Sequence, residues 1–239
     1  MKNSSGNILF LILIAVALFA TLGYAVIQST RSGGGDASKE TNSVNAASLS
    51  QYTTSLRAAV QRMVVSGVAV TDLEFNPPSD FANCTSPSVC VFHPDGGGVI
   101  YQTMPMNLIN NSGVNSGGAW NFTLNVEVQN VGNTSYGGVE TSELIAFLVG
   151  IKEDLCKQIN QKLGLPFSPL PNIQDSSLGK VIVTHPFLYY LDNDYIHDYR
   201  GAIGNDGPGD IALIGRHEGC YLENEDNSKY VYYSVLIAQ

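Results

Sequence analysis

The sequence predicts an α+β fold: an N-terminal transmembrane helix, then an amphipathic helix, then a globular domain built on an antiparallel sheet with one central helix. Three observations carry this expectation. No charged residue interrupts the run from Ile8 to Ile27. Apolar residues then recur at three- and four-residue spacing from Val44 to Met63, the period of a helix with one buried face. Beyond Pro77 and Pro78, apolar and polar residues alternate between turn-forming clusters, the period of strands.

In chain order, residues 1–6 form a short polar leader and 7–28 the transmembrane helix. As a helix, the run from Ile8 to Ile27 extends about 30 Å, which matches the hydrocarbon thickness of a bilayer. Residues 29–43 are polar and contain Gly33, Gly34 and Gly35 together, which predicts a flexible linker. Residues 44–66 are the amphipathic helix, with Val44, Ala47, Leu49, Tyr52, Leu56, Ala59, Val60 and Met63 on its apolar face. Asn42 or Ser43 caps its start and Gly67 ends it.

Residues 67–239 are the exported α+β domain. Strands are expected at 89–93 and 98–104, joined across Pro94 to Gly97 as a hairpin. In 119–131, Trp120, Phe122, Leu124, Val126 and Val128 are expected on one face of a half-buried strand. The central helix is expected from Thr141 or Ser142 to Leu163, with Leu144, Phe147, Leu148, Ile151, Leu155 and Ile159 along its stripe and Gly164 and Pro166 as its stop. A strand is expected over 180–191, and a last hairpin pairs 211–223 with 229–238.

Composition narrows the function. The net charge is -9 and no Lys or Arg run offsets it, which excludes nucleic acid as a partner. Cys84, Cys90, Cys156 and Cys220 fit no metal-finger spacing. Four thiols allow three pairings. The short interval from Cys84 to Cys90 favours a local bridge with Cys156 to Cys220 as its companion, and four buried free thiols are the alternative. Bridges require an oxidising space, so the expected location is the inner membrane, single-pass, with a cytoplasmic N-terminus and a periplasmic or extracellular C-terminal domain. A secretory signal cut near Gly23, Tyr24 and Ala25 is a competing reading of the same segment.

The leader MKNSSG, ending in Gly6 and followed by a long apolar helix, resembles the leader of type IV pilins and type II secretion pseudopilins. That resemblance covers the leader and helices only. It implies a bacterial cell-envelope protein processed between Gly6 and Asn7, with the bilayer and other pilin-like or envelope proteins as partners and self-assembly among its roles. Two positions differ from the family: Asn7 stands where a bulky apolar residue is usual, and Leu11 where a Glu is usual. Leu11 points away from a major, self-polymerising subunit and toward a minor one.

Candidate sites are sparse. Asp192, Asp194, Asp198, Asp206 and Asp210 gather among turn formers, and oxygen ligands at such spacing can hold calcium, although a solvated acidic loop is the ordinary reading. His93, His185, His197 and His217 lack zinc-hydrolase spacing, and no nucleophile motif occurs, so catalysis is not expected. Tyr189, Tyr190, Tyr195, Tyr199, Tyr221, Tyr230, Tyr232 and Tyr233 could form a recognition face or one face of a sheet. The expected function is a structural pilin-like or pseudopilin-like subunit. The alternative is an anchored or secreted binding module that uses the acidic loop or the Tyr-rich face.

Overall fold

The computed structural model describes residues 10–21, 24, 33–110, 118, 120–132, 143–174, 201–204, 209–223 and 229–238. The chain divides into two units, Met1–Asn42 and Ser43–Gln239.

In the first unit, residues 10–21 form helix α1. Among the described residues no helix is long and apolar enough to cross a membrane. This corrects the expected fold, which began with a transmembrane helix over 7–28, and the single-pass inner-membrane location built on it. The leader and, apart from Tyr24, the rest of that apolar run lie outside the described residues. The linker expected over 29–43 is corrected from Gly33 onward, because helix α2 runs from Gly33 to Val65, while 29–32 lie outside the described residues.

The second unit is organised around a six-stranded sheet in the order β3-β5-β6-β2-β1-β4. Its strands are β1 (Trp120–Val128), β2 (Glu143–Ile151), β3 (Asn172–Ile173), β4 (Gly201–Ile203), β5 (Glu218–Glu223) and β6 (Lys229–Ile237). The sheet is mixed rather than antiparallel: β1 with β2, β2 with β6 and β5 with β6 are antiparallel, while the short edge pairs β1 with β4 and β3 with β5 are parallel.

The largest departure is β2, placed where the first half of the central helix was expected. Every residue of this strand is buried. Leu144, Ala146 and Leu148 face one core cluster, and Ile145, Phe147 and Val149 face the other. A central strand covered on both faces has no polar alternation, and such a continuous apolar run fits either period. The helix, α3, begins only at Glu153 and ends at Leu163. Gly164 closes it at φ 67°, in the left-handed region that other residues avoid.

A bulge in β1 changes the predicted face assignment. Trp120, Phe122 and Leu124 join the cluster beneath α2, whereas Val126 and Val128 join the opposite one. The register with β2 shifts between Thr123 and Val126, and one extra residue there reverses every side chain that follows.

Two smaller corrections concern loops. The hairpin expected from 89–93 and 98–104 is absent. Pro87–Val89 is a 3-10 turn, and Cys90 makes only an isolated bridge to Glu74. Gly96 folds back so closely that a Cβ there would lie 2.2 Å from the Cys90 carbonyl oxygen. Ile211–Leu213 is likewise a 3-10 turn, so the last hairpin pairs only Glu218–Glu223 with Lys229–Ser234. The strand expected over 180–191 lies outside the described residues.

Candidate functional site

In α1 the side chains present a uniform apolar surface. Phe10, Leu11, Leu13, Val16, Leu18 and Phe19 are each at least 60% exposed, and Phe19 reaches 80%. Its one polar terminus is satisfied internally: Thr21 Oγ1 donates to the carbonyls of Ala17 and Leu18 at 3.1 and 2.9 Å. A helix that is apolar all round is a helix that some partner covers.

In the second unit, α2 lies on the sheet. Leu49, Tyr52, Leu56, Val60 and Met63 are buried in one cluster with Trp120, Phe122, Leu148 and Tyr232. Beside this apolar contact runs a polar seam. Ser50 Oγ and Tyr232 Oη both donate to Glu218 Oε1, at 2.5 and 2.6 Å, and Thr53 Oγ1 lies 3.1 Å from the same tyrosine hydroxyl. Arg57 Nε donates to Val235 O at 2.9 Å, and its Nη2 donates to Ser234 Oγ at 3.2 Å. Burial, reinforced by the neighbouring Glu218 charge, holds the Tyr232 hydroxyl well above the ordinary phenol range. This seam therefore fixes the helix by neutral and charge-assisted hydrogen bonds rather than by a proton-transferring group.

Tyr52 closes the opposite flank of α2. Its ring lies 5.4 Å from Trp120, and its hydroxyl accepts a 3.2 Å bond from Gln102 N. Burial pushes its pKa up to about 12, against the opposing effect of that N–H. A cleft of about 350 Å³ opens here, lined by Asn45, Ser48, Tyr52, Gln102 and Thr103 among others.

The helix α3 is clasped to β5. Both expected disulfides are formed, Cys84–Cys90 and Cys156–Cys220, and among the described residues no free cysteine remains. Two bridges are consistent with an extracytoplasmic protein. One turn beyond Cys156, Asn160 is fully buried and bonds the backbone of Cys220 in both directions.

The other predicted site residues fare differently. Gly6 and Asn7, and Asp192, Asp194, Asp198 and Asp206, lie outside the described residues. Asp210 is fully buried, and its Oδ2 accepts a 2.8 Å bond from Gly204 N at the end of β4. Among the described residues one group has the spacing of metal ligands: Glu74, Cys84 and Cys90, with ligand atoms within 4.8 Å of one another. Both of its sulfurs are consumed by the bridge. Of the Tyr-rich face's described positions, Tyr221, Tyr232 and Tyr233 are buried, on alternate sides of the sheet, and Tyr230 is half-buried.

Sequence reasoning missed Glu143, which it placed in the first turn of a helix. It is the buried first residue of β2, and its Oε2 accepts a 2.9 Å bond from Val128 N just past the β1 bulge. Burial raises its pKa to about 7, opposed by that hydrogen bond and reinforced by the Glu127 charge. It also missed Asn160. No family model matches the chain, and no curated protein or solved structure matches it.

Proposed function

We propose that this chain is a structural, pilin-like subunit of an extracytoplasmic assembly, acting by packing rather than by catalysis. The observation that carries the reading is the uncovered apolar surface of α1. Helices of this kind bury their surface against the same helices of neighbouring subunits, and the disulfide-bonded domain then decorates the resulting core. The docking of α2 on the sheet supports the reading, because it gives the domain a rigid helical support. The leader supports it too, in that loss of residues 1–6 would leave α1 at the start of the mature chain.

Sedimentation of the purified full chain tests this reading. Leu11 and Leu18 stand seven residues apart and so share one face of α1. The unsubstituted chain is expected to sediment as higher-order species, and a variant carrying Leu11→Asp and Leu18→Asp as single copies, because a charge buried among apolar helices is costly. Intact mass of the chain recovered from its native host is expected to show a mature N-terminus at Asn7. An unsubstituted chain that stays single-copy, or a double variant that assembles equally well, overturns the reading.

A further inference from the structure

The two disulfides differ in what surrounds their sulfurs. Cys156 and Cys220 are both fully buried, whereas in the outer bridge Cys90 is fully buried and Cys84 is half-buried. A thiolate arriving from solution therefore has one accessible target, Cys84 Sγ. Exchange there forms a bond from the attacking sulfur to Cys84 Sγ and breaks the Cys84–Cys90 bond. The electron pair goes to Cys90 Sγ, which leaves as a thiolate and later takes a proton from water.

The backbone determines where that negative charge would form. Glu74 N donates to Val89 O at 3.0 Å and Val91 N donates to Glu74 O at 2.8 Å, so Glu74 and Cys90 stand side by side. Thr85 N donates to Glu74 Oε2 at 2.9 Å, which turns the carboxylate toward the bridge. The same oxygen lies 3.4 Å from Cys90 Sγ. Among the described residues no cation pairs with this carboxylate: the ion pairs are His93 with Asp95 and Lys157 with Glu153. A like charge at such a distance, beside a sulfur shielded from water, disfavours the thiolate.

We propose that Glu74 guards the Cys84–Cys90 bridge, raising the barrier to thiol exchange by opposing the Cys90 thiolate that must leave. The outer bridge is short and partly exposed, the kind that small thiols open. Glu74 keeps it closed by electrostatics, where the inner bridge relies on burial.

The test follows bridge opening in the intact full chain under excess 2-mercaptoethanol, with acid quenching, alkylation and peptide mass analysis. A neighbouring charge moves a thiol's proton affinity by about one to three units. With a leaving-group sensitivity of roughly half, Glu74→Gln is expected to open the outer bridge on the order of tenfold faster. The inner bridge is expected to open at its original rate. The acceleration is expected to be the same with cysteamine, whose ammonium changes the attacker but not the leaving group. In the unsubstituted chain, brief exposure to glutathione is expected to leave the adduct on Cys84. The proposal is overturned by an unchanged rate in Glu74→Gln, by both bridges accelerating together, by an acceleration that depends on the attacking thiol, or by the adduct forming on Cys90.

Discussion

Replacing Asn160 with Ala removes the amide that satisfies the backbone of Cys220 in β5. Strand β3 pairs with Leu222 and Glu223, and among the described residues Cys220 has no strand neighbour on that side. Asn160 fills the gap. Its Nδ2 donates to Cys220 O at 2.7 Å and to Pro166 O at 2.9 Å, and Cys220 N donates to its Oδ1 at 2.9 Å. Both Asn160 and Cys220 are fully buried, so water cannot replace these bonds. Each backbone group left unsatisfied costs about 1–3 kcal/mol, and two of them together about 2–6 kcal/mol. Pro166 is exposed and its carbonyl can turn to water, so it adds little. A loss of that size is a large share of a typical domain's stability of about 5–15 kcal/mol. The assay is equilibrium urea unfolding with both bridges intact, followed by fluorescence of the single tryptophan, Trp120, which is buried in the core beneath α2. Asn160→Asp sharpens the test. Its carboxyl can still accept from Cys220 N, but when ionised it faces two carbonyl oxygens, so this variant is expected to be more stable in acid than at neutral pH. An Asn160→Ala chain within about 0.5 kcal/mol of the original would refute the assignment, since that is the scatter of substitutions that touch nothing.

Two further outcomes follow from the same core. Glu143 has its pKa raised to about 7 from 4.5, so its neutral form suits the fold and its contribution is present below pH 4.5 and lost as pH rises through 7. Glu143→Gln is expected to match the original chain in acid and to exceed its stability at pH 8 by about 3 kcal/mol in urea titrations, at roughly 1.4 kcal/mol per unit; a difference that stays flat with pH counts against the assignment. Cys156 and Cys220 are 64 residues apart, and replacing both with Ala is expected to remove about 4 kcal/mol through loop-closure entropy, shown by a lower urea midpoint. An unchanged midpoint would mean that the reduced chain is already held by Asn160 and its neighbours.

The sheet's ends were more legible than its centre. The hairpin of β5 and β6 could be read because Tyr221, Val231, Tyr233 and Val235 alternate with residues of the opposite face around a polar turn. Strand β2 could not, because Leu144, Phe147, Leu148 and Ile151 sit at helical spacing inside a run that is apolar at nearly every position. A local signal did exist. Glu153 and Asp154 occupy the first turn of α3, where acidic residues favour a helix N-terminus. Weighing them against Glu143 would have started the helix ten residues later. The β1 bulge left no such trace, since Val126 and Val128 continue the alternation in sequence while the backbone reverses it.

The candidate site divides along the same line between local and distant causes. The cysteine pairing was readable because six residues with a proline among them confine Cys84 and Cys90 to a short loop. Asn160 was not, because an amide beside Lys157 and Lys162 looks like the polar side of an amphipathic helix, and its partner is 60 residues away. Glu74 was hidden for a similar reason: only the turn through Pro87 brings Cys90 back beside it. In α1 the difficulty is of another kind. An unbroken apolar run specifies that something must cover the helix, and its count of residues suggested a bilayer's thickness. Among the described residues no helix is long and apolar enough to cross a membrane, so the length of the run does not by itself identify the cover. On the proposed reading, the matching helices of neighbouring subunits cover the exposed Phe10, Leu11, Leu18 and Phe19.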